Sequence, residues 1–154
     1  MSVTCPLNVV EETLVHLREA GLRNCECVVL WLGQRRDTEV IVKQAYLPIQ
    51  IVREDMFHIP SEGMAALHSH LRANRWMVAA QVHSHPDEAF HSRADDRWAI
   101  IRHEGALSLV VPYFASTTTA SALFESAKIF RFSDDKRWIE VPVVQMDLPC
   151  LTIS

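Results

Sequence analysis

The densest group of side chains able to do chemistry is His83-Ser84-His85-Pro86, followed by Ser92 and Asp95. The segment Trp76 to His83 predicts a strand that ends at these histidines. Side chains at i and i+2 of a strand share a face, so two imidazoles at a strand end that opens into a loop can grip one metal ion. Residues 84–91 predict that loop and residues 92–103 a helix, with Trp98 and Ile101 turned inward. Ser92 would cap the helix and Asp95 would fall in its first turn. Two histidines and one carboxylate make three protein ligands. Zinc held by three protein ligands keeps a position for water, the arrangement of a catalytic site rather than a structural one. A plainer reading uses the same residues: Ser92 and Asp95 as a capping pair and His83-Ser84-His85 as a polar strand end. Spacing alone leaves both open.

A second His-x-His, His68 and His70, serves as a control. It falls in a predicted helix, where positions i and i+2 diverge by roughly 200° around the axis, so these two predict ordinary surface or boundary residues. His16, His58 and His103 receive no role, and His91 is a neighbour of the candidate ligands. A hydrolytic metal site also needs a base. The patterns His-Glu-x-x-His and His-x-Glu with Pro-Cys-x-x-Cys are both absent. Glu26 opens the otherwise apolar run Cys27 to Leu32. A carboxylate there is costly to bury without a partner, so it either serves the site or sits at a strand edge in water. If it faces the site, Cys25 and Cys27 face away and are not ligands.

The elements that must position these groups interleave. Asn8 and Glu11 resemble a capping box for a helix over 9–20, with Val10, Leu14 and Leu17 on one face and Gly21 ending it. Glu26 to Leu32 predicts a buried strand stopped by Gly33, and Glu39 to Tyr46 its hairpin partner across a turn at 34–38. The stretch from Pro48 to Pro60 is ambiguous. Ser61 predicts the cap of a helix carrying Met64, Leu67 and Leu71 inward. Leu107 to Val111 predicts a buried strand stopped by Pro112. Lys128 to Phe132 and Arg137 to Val141 predict two late strands around the turn 133–136. Trp31, Trp76 and Trp98 suit core packing. This alternation predicts an α/β fold, a mixed sheet flanked by helices.

The bulk properties bound the function. The 154 residues predict one domain spanning 1–154, with no repeat, low-complexity tract or linker. A net charge of -4 provides no basic footprint for nucleic acid. No apolar run approaches the roughly 20 residues that span a bilayer, and no secretion signal opens the chain. Cys5, Cys25, Cys27 and Cys150 show no Cys-x-x-Cys and no dense framework, which predicts reduced thiols in a cytoplasmic protein.

Taken together, Glu26 with Gly33, His83-Ser84-His85-Pro86, and Ser92-x-x-Asp95 resemble the signature of the JAMM (MPN-plus, JAB or Mov34) metallopeptidases. The similarity is closest to the bacterial JAB branch. It is carried also by 29–33, by Gln81 to Pro86, by Phe90 to Asp96 and by Leu107 to Pro112, and it covers about residues 10–112. The commoner family loop has one more residue between the second histidine and the serine. Keeping Ser-x-x-Asp intact makes Asp95 the third ligand, whereas counting from His85 would make it Asp96. The resemblance implies a mixed sheet between helices, similar to cytidine deaminases, and one zinc on His83, His85 and Asp95. It further implies Glu26 as general base, Ser92 as oxyanion donor, and cleavage of the isopeptide bond between a ubiquitin-like protein and a lysine. Precursor trimming at a terminal glycine would use the same residues. A non-catalytic scaffold would lack one or more of them. Expected partners are the modifier, its conjugates, and E1-like and E2-like proteins, including those of anti-phage systems. Gln50 to Ile59 is a candidate frame for the groove that takes an extended tail.

Overall fold

The computed structural model describes residues 1–90, 100–143 and 150–154. Its centre is an eight-stranded mixed sheet in the order β10-β1-β3-β2-β6-β7-β8-β9. The strands are β1 (Ser2–Cys5), β2 (Val28–Arg36), β3 (Glu39–Tyr46), β6 (Met77–Ser84), β7 (Leu107–Val111), β8 (Lys128–Phe132), β9 (Trp138–Glu140) and β10 (Leu151–Ile153). A separate two-stranded ribbon pairs β4 (Ile51–Val52) with β5 (Phe57–His58). The helices are α1 (Leu7–Gly21), α2 (Ser61–Asn74) and the short α3 (Leu123–Ser126). The expected α/β class and mixed sheet flanked by helices are therefore found.

Alternation along the central strands divides the core between the sheet's two faces. On β2, Val29 and Trp31 join α1 residues Val10, Leu14 and Leu17 in one cluster. Val28, Leu30 and Leu32 join Phe57, Ile59 and Leu67 in the other, beneath α2. Trp31 is fully buried, and its indole N–H donates to Thr13 Oγ1 at 2.9 Å, while that hydroxyl donates to the Val9 carbonyl at 2.7 Å. Among the described residues, no helix is long and apolar enough to cross a membrane. All four cysteines are free thiols.

Several local expectations are corrected. Asn8 does not cap α1. The helix begins at Leu7 with Pro6 at the cap position and no side-chain cap bond. The Leu7 N–H donates instead to the carbonyl of Ser154 at 2.7 Å, so the far end of the chain satisfies a group that a side chain was expected to meet. Ser61 likewise lies inside α2, behind Pro60, a residue suited to a helix start because it needs no N–H partner. The strand expected from Glu26 starts at Val28 and does not stop at Gly33. It runs to Arg36, with a register shift at Leu32/Gly33. A Cβ on Gly33 would lie 2.4 Å from the Ile41 carbonyl oxygen, so glycine there permits close strand approach rather than ending the strand. Residues 101–103 of the helix expected over 92–103 are not helical, and the rest of that segment, with Trp98, lies outside the described residues. Strands β1 and β10 were not anticipated. β1 adds to β3 and β10 adds to β1, both in parallel, with Val3 opposite Val40 on one side and Leu151 on the other.

Candidate metal centre

Strands β2 and β6 run antiparallel, and Val28 stands opposite His83. The same register continues past the strand end, where the Ser84 N–H donates to the Cys27 carbonyl at 3.2 Å. The Cys27 N–H donates to Ser84 Oγ at 3.3 Å. Glu26 precedes Cys27 at this same end of the two strands. Glu26, His83 and His85 are 4%, 0% and 3% exposed. The choice left open for Glu26 is thus decided in favour of burial. Its N–H donates to the Arg53 carbonyl at 2.6 Å, which ties it to the ribbon β4–β5. Cys27 lies in the α1-side cluster, on the opposite face from Val28. Burial pushes its thiol pKa up to about 12, only partly opposed by the Arg23 charge, so the thiol is protonated at neutral pH and poorly suited to bind a metal.

The two imidazoles lie side by side, with ring centroids 5.2 Å apart and planes tilted by 48°. Tetrahedral zinc with bonds of about 2.0–2.1 Å to two imidazole nitrogens sets their ring centroids roughly 5 Å apart. The spacing of the two rings matches that of such a pair. Phe57 packs at 5.4 Å from the His83 ring, and Phe90 stands edge-on at 4.6 Å from His85, giving the pair apolar walls. Among the described residues, no three His, Cys, Asp or Glu side chains form a metal-binding group. Asp95, its alternative Asp96, Ser92 and His91 all lie within 91–99, outside the described residues. The control pair behaves as its helix requires. His68 is exposed, while His70 stacks on Tyr46 at 5.2 Å and contacts Gln44 Oε1 at 2.7 Å.

Three supporting groups escaped the sequence reading. Beyond the end of β3, the side chain of Gln50 replaces a strand. Its Oε1 accepts the Val28 N–H at 2.9 Å, and its Nε2 donates to the Val28 carbonyl at 2.9 Å and to the Pro48 carbonyl at 3.2 Å. Gln81, fully buried, donates to Ser108 Oγ at 3.1 Å and accepts the Ile100 N–H at 3.0 Å, fixing the backbone just after segment 91–99. The third is a left-handed turn at Tyr113–Ala115 behind His85. Only Gln81 carried a sequence signal, as a polar residue in an apolar strand.

No protein-family model matches the chain. It is 32% identical over 145 residues to the probable metalloprotease y4jG of Sinorhizobium fredii, covering 92% of this chain and 88% of that protein. Its fold is similar to that of protein DSY2949 from Desulfitobacterium hafniense, with TM-score 0.70 and 20% identity over 99% of this chain and 92% of the other. It is also similar to AF2198, a JAB1/MPN domain protein from Archaeoglobus fulgidus, with TM-score 0.53 and 16% identity over 99% and 98% of the two chains. With two buried imidazoles and a buried carboxylate brought to one end of such a sheet, and a metalloprotease relative that matches along nearly all of its length, the chain belongs to the JAMM (MPN-plus) metallopeptidase family.

Proposed function

We propose that this protein is a zinc-dependent isopeptidase that removes a ubiquitin-like protein from the lysine of a target, in the cytoplasm of a bacterium that encodes E1-like and E2-like partners, as in anti-phage conjugation systems. The observation that carries the reading is the burial of Glu26, His83 and His85 at the same end of the antiparallel pair β2 and β6. In this reading His83, His85 and Asp95 hold one zinc ion. Bound there, zinc supplies Lewis acidity and lowers the pKa of water toward neutrality. Glu26 takes the proton of the attacking water and delivers it to the departing lysine amine, which leaves poorly unless protonated. The Ser92 hydroxyl donates to the developing oxyanion, a contact worth about 2.7–4 kcal/mol in other hydrolases. Phe57 and Phe90 limit water around the imidazoles. The extended tail of the modifier lies along the frame formed by Gln50 to Ile59, beside the exposed apolar side chains of Leu47, Ile49 and Ile51.

The test is cleavage of a lysine-linked conjugate and, separately, of a tailed linear precursor of the same ubiquitin-like protein. Wild type, Glu26→Ala and chelator-treated protein are compared. The reading requires that wild type cut the conjugate, that Glu26→Ala lose about 10²–10⁴-fold in rate while keeping its zinc, and that chelation abolish cutting. Cleavage of the precursor alone would assign trimming instead. A zinc-loaded wild type that cuts neither would make the protein a scaffold.

A further inference from the structure

We propose that the left-handed turn Tyr113–Ala115 is a positioning device for His85, set from behind by α1. The proposal rests on reading His85 as a metal ligand. Tyr113, Phe114 and Ala115 have φ of 55°, 51° and 62°. Residues with a Cβ enter this region rarely, and then singly, so three in succession require an external hold. The turn is closed by the Ala115 N–H on the Pro112 carbonyl and the Ser116 N–H on the Tyr113 carbonyl, each at 3.0 Å. It presents two amides to the loop that follows β6. The Phe114 N–H donates to the His85 carbonyl at 2.8 Å, and the Tyr113 N–H donates to the Asp87 carbonyl at 3.0 Å. The His85 N–H in turn donates to the Val111 carbonyl at 2.9 Å. Both main-chain polar groups of His85 are therefore bound to the segment 111–114. Backbone of ordinary handedness at 113–114 would aim those amides elsewhere.

Helix α1 supplies the hold. A Cβ on Gly21 would lie 2.5 Å from Phe114 Cβ, so the helix presses against the turn where it has no side chain of its own. Arg18 donates through Nε to the Ala115 carbonyl at 3.1 Å and through Nη2 to the Thr118 carbonyl. A line of contact thus runs from Arg18 and Gly21 through Phe114 to His85. In this arrangement α1 reaches the metal centre although it contributes no residue to it.

The test measures zinc affinity by chelator competition and the visible spectrum of the cobalt(II)-loaded protein, on the full chain, with urea unfolding run alongside. Gly21→Ala drives a methyl group into Phe114 and should weaken zinc about 10–100-fold, the usual effect of disturbing groups that orient a ligand, and shift the cobalt bands. Adding Phe114→Gly removes the clashing Cβ and leaves a residue that takes positive φ freely. The double variant should recover both affinity and spectrum, and the affinity loss of Gly21→Ala should exceed what its urea midpoint explains. A folded Gly21→Ala with wild-type affinity and spectrum overturns the proposal, as does a double variant that fails to recover. If Gly21→Ala does not fold, Arg18→Met replaces it. A fall of about tenfold supports the proposal and unchanged affinity overturns it. Wild type that binds no zinc would overturn the reading of the site itself, an outcome distinct from all of these.

Discussion

The replacement Gln50→Glu isolates the brace at the start of β2. Gln50 meets three groups of the backbone: it accepts from the Val28 N–H and donates to the Val28 and Pro48 carbonyls. A carboxylate of the same shape can still accept from Val28, but it donates nothing at neutral pH. Two carbonyls lose their donor, and each faces a charged oxygen in its place. Val28 is fully buried, so its carbonyl bears an uncompensated desolvation cost of about 1–3 kcal/mol. The Pro48 carbonyl, at a longer 3.2 Å, adds about 0.5–1.5 kcal/mol, the usual net worth of one such bond. The sum, about 1.5–4.5 kcal/mol, is a large share of the roughly 5–15 kcal/mol that holds a domain folded. Urea unfolding at pH 7, followed by far-UV circular dichroism, should show a lower midpoint with an unchanged slope. A loss below about 0.5 kcal/mol, the range of ordinary surface substitutions, would refute the claim that a side chain stands in for a strand here.

Thr13→Val should leave the Trp31 indole N–H buried without its acceptor and cost about 1–3 kcal/mol by urea unfolding, with a change in tryptophan emission. Gln81→Leu removes the acceptor of the Ile100 N–H and should lower zinc affinity or cleavage about 10–100-fold, by chelator competition and conjugate assay, more than its effect on stability explains. The Cys27 thiol has its folded pKa raised from 9.0 to about 12. Its protonated form is therefore favoured by folding, a contribution fully present below pH 9.0 and lost as pH rises toward 12. Stability should fall over that window by up to about 1.4 kcal/mol per pH unit from this group, and Cys27→Ser should flatten the fall. At pH 8, native Cys27 should resist alkylation while the partly exposed Cys25 reacts, as read by mass spectrometry.

Side-chain pattern along the chain was enough to place β3, β7 and β8, because each is a short β-prone run bounded by Gly, Pro or polar residues, and strand alternation follows from backbone geometry alone. The same alternation put His83 and His85 on one face and turned Cys27 away from it. It separated them from His68 and His70, which share their spacing but sit on a helix. What tertiary structure decided is who completes a group across space. Glu26 was equally readable as a solvated strand end, until the packed chain buried it, with its N–H on the Arg53 carbonyl. The first turn of α1 is satisfied by Ser154, Val28 by Gln50, and Ile100 by Gln81, partners remote in sequence or out of register with any local pattern. Gly21 ends α1 as expected while Gly33 does not end β2, and at each another chain segment comes too close for a Cβ. The left-handed turn at Tyr113–Ala115 runs against every local preference of its residues. A local sequence states what its own backbone prefers, and only the packed chain supplies the bonds that hold it elsewhere.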